Sequence, residues 1–326
     1  MGIMRSLLIA LPIVFSVLPI VGLWLEIPLA AFVAGVVLVP ILEWLTTGVE
    51  RWGPAMPAWG PQLPRLILVW VSAQLLMLML VANDLSWPTV LMLGLSMGYV
   101  SGGIGITLSH ELGHRWNRFD QTMSRMFLAT LGYGHYIIEH NRGHHRTAAI
   151  EGDAASARRD ETLWEFLPRY YRGVFVGAVQ LSRQTSRWWN EAYFWTAASL
   201  MLICAVALIG GAKPFVFWLV NTIVALFLVG AVEYIEHWGL RRRVTETGVE
   251  RMGPQHSWDS PSWISEALLF NLPRHSAHHL FPSLRCDVLK RSEQAPQMPT
   301  GYAGMIWLAM LPRAYLRVMT SRLPVR

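Results

Sequence analysis

Cysteine is nearly missing: 326 residues hold only Cys204 and Cys286, and no Cys-x-x-Cys pair occurs. Such a chain carries neither a disulfide framework nor a thiolate metal site, so any electron-transfer metal must sit on another protein. Charge is also sparse, at 15% of residues, and leans basic, with 27 Lys and Arg against 21 Asp and Glu for a net +6. Together with 53% hydrophobic residues and a mean hydropathy of +0.35, this excludes an ordinary soluble domain of this length and points to an integral membrane protein. The basic excess is almost all Arg and reads first as topology signal and lipid headgroup contact, with a docking face for an acidic partner as the sharper reading. Nucleic-acid binding has no support beyond the sign of the charge. No internal repeat, low-complexity run or linker divides the chain, which reads as one all-α membrane domain over 1–326 with a cytoplasmic histidine-rich cap.

Apolar stretches near the roughly 20 residues that cross a bilayer as helix predict six spans, at about 6–25, 27–46, 66–83, 85–109, 192–212 and 214–234. The second is short unless its helix runs past Glu43, and a re-entrant segment is its alternative. Turns near Glu26–Pro28, Asp84 and Lys213 would face one side. Every other loop and both termini then face the other side, with 26 of the 27 Lys and Arg residues and all 11 histidines. By the positive-inside rule that side is cytoplasmic, which places the chain in the inner membrane. Trp24 and Trp87 would mark the outer interface, Trp44 and Trp52 the inner one. The first apolar segment lacks a small-residue cleavage site and runs into a second span, so it reads as a helix and not as a removable signal. In "GYVSGGIG", Gly98 and Gly102 stand four apart, the spacing that lets a neighbouring helix approach closely.

Chemistry begins at "HELGHRW", residues 110–116, where His110 and His114 share one helix face as a metal chelate. With Glu111 between them this is also the zinc-protease signature, two imidazoles and a water-activating carboxylate. The motif has company. "EHNRGHHR" supplies His140, His144 and His145, "EYIEHWGL" supplies His237, and "LPRHSAHHLFP" supplies His275, His278 and His279. Partners at i/i+4 and i/i+3 share a face, while the second member of each His-His pair is rotated by about 100° and reaches a neighbouring ion. Nine such histidines suit two metals, and a tetrahedral zinc site would leave most of them without a role. Nitrogen-rich sites with open positions suit two non-haem irons in oxygen chemistry, although imidazole also suits zinc, copper and nickel. Neutral ligands leave the metal charge uncompensated, so carboxylates close in sequence (Glu111, Glu139, Asp153, Glu233, Glu236) are candidates to orient the rings; each is equally a salt-bridge partner for a nearby Arg. Of the other two histidines, His135 reads as a hydrogen-bonded interfacial residue and His256 as a loop residue supporting the site.

These boxes resemble the membrane-bound alkane 1-monooxygenases, within the membrane fatty-acid desaturase and hydroxylase superfamily. "HELGHR" resembles the first histidine box, "EHNRGHH" the second, "EHWGL" the short signature box and "RHSAHH" the third. "GDAASAR" at 152–158, "HSWDS" at 256–260 and "MPTGYAGMIWLAMLPRAYLRVM" at 298–319 extend the resemblance from about residue 100 to the C-terminus. It implies a six-helix membrane fold whose nine histidines, His110, His114, His140, His144, His145, His237, His275, His278 and His279, hold two irons at the cytoplasmic helix ends. It further implies terminal hydroxylation of an alkane with O2, with electrons from a separate rubredoxin and its NAD(P)H-dependent reductase. The chain departs from the family pattern at Glu233, Trp238, Ala277 and Ala155, where Asn, Tyr, Asp and Pro are usual. Intact ligand positions protect the chemistry; altered neighbours leave the substrate open to xylene- and cymene-type methyl groups or fatty acyl chains. An apolar substrate entering from the bilayer has no polar handle, so pocket depth must select its length, and Trp44 and Trp70 are candidates for its wall, with Trp24 beside them. The rival classes are a membrane zinc metalloprotease and a haem-binding electron-transfer subunit, whose ligands would normally lie within the apolar spans.

Overall fold

Where no water competes for backbone hydrogen bonds, the backbone satisfies itself, and helices dominate. The computed structural model describes residues 2–46, 60–186, 188–246 and 248–324, with side chains from residue 10 onward; Trp52 lies outside the described residues. In chain order the helices are α1 (Gly2–Trp24), α2 (Ala30–Thr46), α3 (Gln62–Asp84), α4 (Trp87–Gly113), α5 (Arg118–Thr130) and α6 (136–147). Then come α7 (Leu163–Thr185), α8 (Glu191–Gly210), α9 (Ala212–His237), α10 (Trp263–Leu268), α11 (His275–Leu280), α12 (Tyr302–Ala309) and α13 (Pro312–Thr320). Among the described residues the one sheet is a two-stranded antiparallel hairpin, Val244–Thr245 against Gly248–Val249.

Four helices among the described residues, α3, α4, α8 and α9, are long and apolar enough to cross a membrane. The hairpin of α1 and α2 is shorter in its apolar part, 10–24 and 30–46. Its turn does not reach the start of α4: the Pro28 carbonyl accepts from Ser96 Oγ at 2.6 Å, nine residues beyond Trp87. At 1.5 Å per residue that is about 13 Å along the helix axis. The other two turns meet at one end, where Lys213 Nζ donates to the carbonyls of Asn83 at 3.0 Å and Leu85 at 2.6 Å, and Asn83 Nδ2 to that of Gly210 at 3.0 Å. The opposite ends of α4 and α9 carry the histidines.

α4 and α9 pack along their length, and the sequence shows how. Gly94, Gly98 and Gly102 form one stripe; a Cβ at Gly98 would stand 2.6 Å from Val224 Cβ and 2.8 Å from the Asn221 carbonyl, and one at Gly102 2.9 Å from Ala225 Cα. The spacing at Gly98 and Gly102 is thus a packing device, as the sequence predicts. A second close approach lies at Gly35, in a π turn of α2 (Ala34–Leu38), where the Tyr99 ring occupies the space of the missing side chain and its hydroxyl donates to the Gly35 carbonyl at 2.8 Å. Both helices that were expected to end with their apolar residues run further, α4 to Gly113 and α9 to His237. Charge marks the end of the apolar stretch but does not break a helix, so His110, Glu236 and His237 fall in final helical turns.

Candidate metal centre

Each histidine box reaches the centre by a separate device. His110 lies in the last turn of α4 and His114 caps it, its N–H donating to the His110 carbonyl at 3.2 Å. α6 passes through a π turn at His140–His144. α9 delivers His237. α11, only six residues long, carries His275, His278 and His279 and is anchored by Asp259, which accepts from the Ser276 N–H at 2.7 Å and from Ser276 Oγ at 2.9 Å.

The nine rings sort into two sets. His110, His114, His140, His145 and His278 form one, and His144, His237, His275 and His279 the other. Both His-His pairs divide between the sets, as the rotation argument expects. The expectation that His140 pairs with His144 at i/i+4 is corrected: His140 shares its set with His145. The π turn is the reason, because its i→i+5 hydrogen bonding stacks residues five apart.

Within each set the Nε2 atoms point at a common place. His110 and His140 stand 2.7 Å apart, His114 and His110 3.2 Å, His145 and His140 3.0 Å, and His278 and His145 3.1 Å. In the other set His237, His275 and His279 make a triangle with sides of 2.9, 3.0 and 3.1 Å. Hydrogen bonds satisfy nitrogens in pairs, and three mutually close Nε2 atoms cannot all be served that way. Nitrogens bound at right angles to an ion at about 2.1 Å are separated by about 3 Å, so the spacing fits ligand atoms around a shared cation. Burial, and then the neighbouring rings, hold His140, His145, His275, His278 and His279 well below the ordinary histidine range, and His114 is pulled down to about 3. Neutral imidazoles with free lone pairs are what a metal requires.

His144 differs. Burial lowers its affinity for a proton, but Asp153, 3.0 Å from Nδ1, outweighs this and pushes it up to about 9, while Asp153 is held at about 2 against its own burial by His144 and Ser156. A ring whose Nδ1 is oriented by a carboxylate and whose buried Nε2 has no partner is the arrangement of a metal-bound histidine. Glu236 Oε1 lies 3.2 Å from His275 Nδ1, not aligned as a hydrogen bond, and accepts from Tyr302 at 2.8 Å. Glu233 Oε1 accepts from Tyr136, whose hydroxyl is also 3.1 Å from His140 Nδ1.

The other two carboxylates are elsewhere. Glu111 accepts from Arg115 at 3.0 Å through Oε1 and from the Cys286 N–H at 3.1 Å through Oε2, so both oxygens are engaged away from the rings. That also removes the free base a zinc protease needs. Glu139 packs its carboxylate against Gly143 and Gly177, and burial pushes it up to about 8. His256 supports the site by its backbone, its carbonyl standing 3.0 Å from His237 Nδ1, while its ring faces the Gly253 N–H and Glu250. His135 is buried among Tyr133 and Phe175 outside both sets, and its Nδ1 has no hydrogen-bond partner among the described residues. Sequence reading missed Tyr136, Asp259 and Tyr302. Tyr136 carries a usable signal, one turn before His140; Tyr302 is remote in sequence and has none.

Beneath the rings lies an apolar cavity of about 70 Å³ lined by Phe15, Val39, Tyr99, Ile104, Leu228 and Ile306, among others. A smaller one of about 30 Å³ touches His110, His140 and His275 and shares Gly102, Thr107, Val232 and Leu272 with the first. Trp44 and Trp70 line neither: Trp44 is 71% exposed on α2 and Trp70 37% exposed on α3. Trp24 is exposed as well. Tyr99 and Phe15, whose rings meet at 5.9 Å, stand where the tryptophans were expected.

The fatty acid desaturase family profile matches residues 85–309. The chain is 35% identical to alkane 1-monooxygenase 2 of Pseudomonas aeruginosa over 87% of its length and 81% of that protein, and 32% identical to alkane 1-monooxygenase 2 of Alcanivorax borkumensis over 90% and 81%. It is 38% identical to alkane 1-monooxygenase 1 of Pseudomonas aeruginosa over 70% of the chain, spanning 62% of that relative's length. The xylene/toluene monooxygenase hydroxylase component of Pseudomonas putida is 25% identical over 70% of the chain. The chain belongs to the fatty acid desaturase family and, within it, to the alkane 1-monooxygenases.

Proposed function

We propose that this chain is a membrane di-iron monooxygenase that hydroxylates the terminal methyl of a medium- or long-chain alkane. The overall change is RH + O2 + 2 e− + 2 H+ → ROH + H2O, with electrons delivered by a separate rubredoxin and its NAD(P)H-dependent reductase. The observation that carries this reading is the division of nine histidines into sets of five and four above an apolar cavity. The two irons, held by those sets, would supply O2 binding and activation. The protein supplies the rest. Phe15, Tyr99 and Ile104 hold the alkane by burial, about 0.8 kcal/mol per CH2, and exclude water from the reacting carbon. Gly102, Thr107 and Val232 lead from that cavity to His110 and His275, which sets the chain end toward the rings. Asp153 and the His256 carbonyl fix the tautomers of His144 and His237 so that Nε2 faces inward.

Six spans with the centre and both termini on the cytoplasmic side belong to the same proposal, resting on the distribution of Lys and Arg. These 326 residues contain no Cys-x-x-Cys pair, so the thiolate metal site of a rubredoxin does not lie among them. The test is Mössbauer spectroscopy with elemental analysis on protein loaded with iron-57, followed by hydroxylation assays with rubredoxin and reductase. Two irons per chain and 1-alkanol product support the proposal. One zinc without iron overturns it, and selective turnover of alkylbenzenes or acyl chains reassigns the substrate.

A further inference from the structure

From Ala30 to Thr46 the residues of α2 include one charged side chain, Glu43, and it is buried at 1% exposure. An ionisable group in an apolar helix is costly and persists where specific partners hold it. Here the partners are backbone amides. Helix α12 begins at Tyr302, and the first N–H groups of any helix have no partner within it. Gly304 N–H, 261 positions away in sequence, donates to Glu43 Oε2 at 2.9 Å, and Ala303 N–H donates to Oε1 at 3.4 Å. Tyr302 N–H donates at 2.9 Å to Ser265 Oγ, on α10, and that hydroxyl donates in turn to Glu43 Oε1. Glu43 and Ser265 together therefore cap α12, and the helix dipole favours a carboxylate there. Gly301, the residue before α12, leaves the room: a Cβ at that position would fall within the Glu43 carboxyl group.

Tyr302 is buried as well, and its hydroxyl donates to Glu236 Oε1 at 2.8 Å, the oxygen that stands 3.2 Å from His275 Nδ1. Displacing the start of α12 moves Tyr302 with it, releases Glu236 and lets the His275 ring turn. A second tie joins α12 to α2 further along: Pro40 has no N–H to offer the Val36 carbonyl, and Trp307 Nε1 donates to it at 2.7 Å. That tie binds α12 without passing through Tyr302. We propose that Glu43 is a positioning residue for the metal centre: by capping α12 it holds Tyr302 on Glu236 and so fixes the orientation of His275 in the set of four. The same cap sets Ala303 and Ile306 in the wall of the larger apolar cavity, beside Glu43 itself. The inference rests on the nine-histidine reading above.

The experiment loads wild type, Glu43→Leu, Glu43→Gln, Gly301→Ala, Tyr302→Phe and Trp307→Phe with iron-57(II) anaerobically in mild detergent. Mössbauer spectra, chelator competition and thermal unfolding are then recorded. Tyr302→Phe removes the hydroxyl on Glu236 and is expected to shift one of the two iron signals. Glu43→Leu should shift the same signal and weaken that iron by about 10-fold, and Glu43→Gln, which keeps one acceptor oxygen, should recover part of both. Gly301→Ala should also shift it, because it displaces the carboxylate while leaving Glu43 in place; this variant carries the test if Glu43→Leu does not fold. Trp307→Phe should unfold at a lower temperature with both signals as in wild type. A wild-type spectrum in Glu43→Leu overturns the proposal, as does Tyr302→Phe without a shift or Trp307→Phe with the same shift. Amide exchange needs no metal: exchange over 302–304 should rise in metal-free Glu43→Leu relative to Trp307→Phe, and equal protection overturns the cap. Failure of wild type to bind two irons strikes the nine-histidine reading itself, a separable outcome.

Discussion

Replacing Gly98 by Ala, with Gly103→Ala as its partner, tests whether helix packing holds the two histidine sets in place. Both glycines lie on α4, five residues apart, and both substitutions gain about 1 kcal/mol of helix propensity. Their surroundings differ: a Cβ at Gly98 would stand 2.6 Å from Val224 Cβ and 2.8 Å from the Asn221 backbone oxygen, while at Gly103 nothing lies within 4 Å. Carbon contacts are optimal at about 3.5–4.0 Å, so α4 and α9 must separate by about 1 Å to admit the methyl. Overpacking of that size costs about 1–3 kcal/mol, and the difference between the two variants isolates it. Because His110 ends α4 and His237 ends α9, the same displacement shifts one set against the other. Thermal unfolding in detergent, read with iron content, should show Gly98→Ala less stable and poorer in iron than Gly103→Ala. Equal stability and iron content in the two would refute the reasoning.

Other perturbations separate orienting residues from bystanders. Asp153→Asn keeps the shape beside His144 but removes the charge, and should weaken metal binding by about 10- to 100-fold, or about 1.4–2.7 kcal/mol, in chelator competition. Glu111→Gln should lower thermal stability, since it disturbs the Arg115 and Cys286 contacts, while turnover per bound iron stays near wild type; loss of turnover with iron retained would restore a base role for Glu111. Trp44→Ser should leave the product chain-length profile unchanged, whereas Tyr99→Ala, which opens the cavity wall, should extend it; gas chromatography of the alcohols decides. Stripping the metal with a chelator should lower thermal stability, by about 2.7 kcal/mol if the ion was present at 100 times its dissociation constant.

Much of this could be read from residue order alone. The histidine boxes stood out because ligand residues at helical spacing survive as a pattern in one dimension, and "GYVSGGIG" announced its packing role for the same reason. Local devices that alter helical register were less legible. Nothing in "EHNRGHHR" declares the π turn that pairs His140 with His145 in place of His144. The roles of Glu111 and Glu139 were equally hidden, because a carboxylate beside a histidine in sequence points wherever its helix face turns. Likewise Trp44 and Trp70 looked like pocket walls by size, yet both face outward.

The chain's composition by itself determined a helical membrane protein, and its boxes determined which nine imidazoles would gather, since hydropathy and ligand spacing act over short stretches of backbone. Only the tertiary structure decided which rings share a set, which carboxylates reach them and which residues line the cavity. Those facts depend on where separate helices meet: Glu233 from α9 beside His140 and His144 from α6, or Asp259 from a loop beneath α11. Contacts between residues a hundred positions apart come from packing, and packing is decided by the whole core at once.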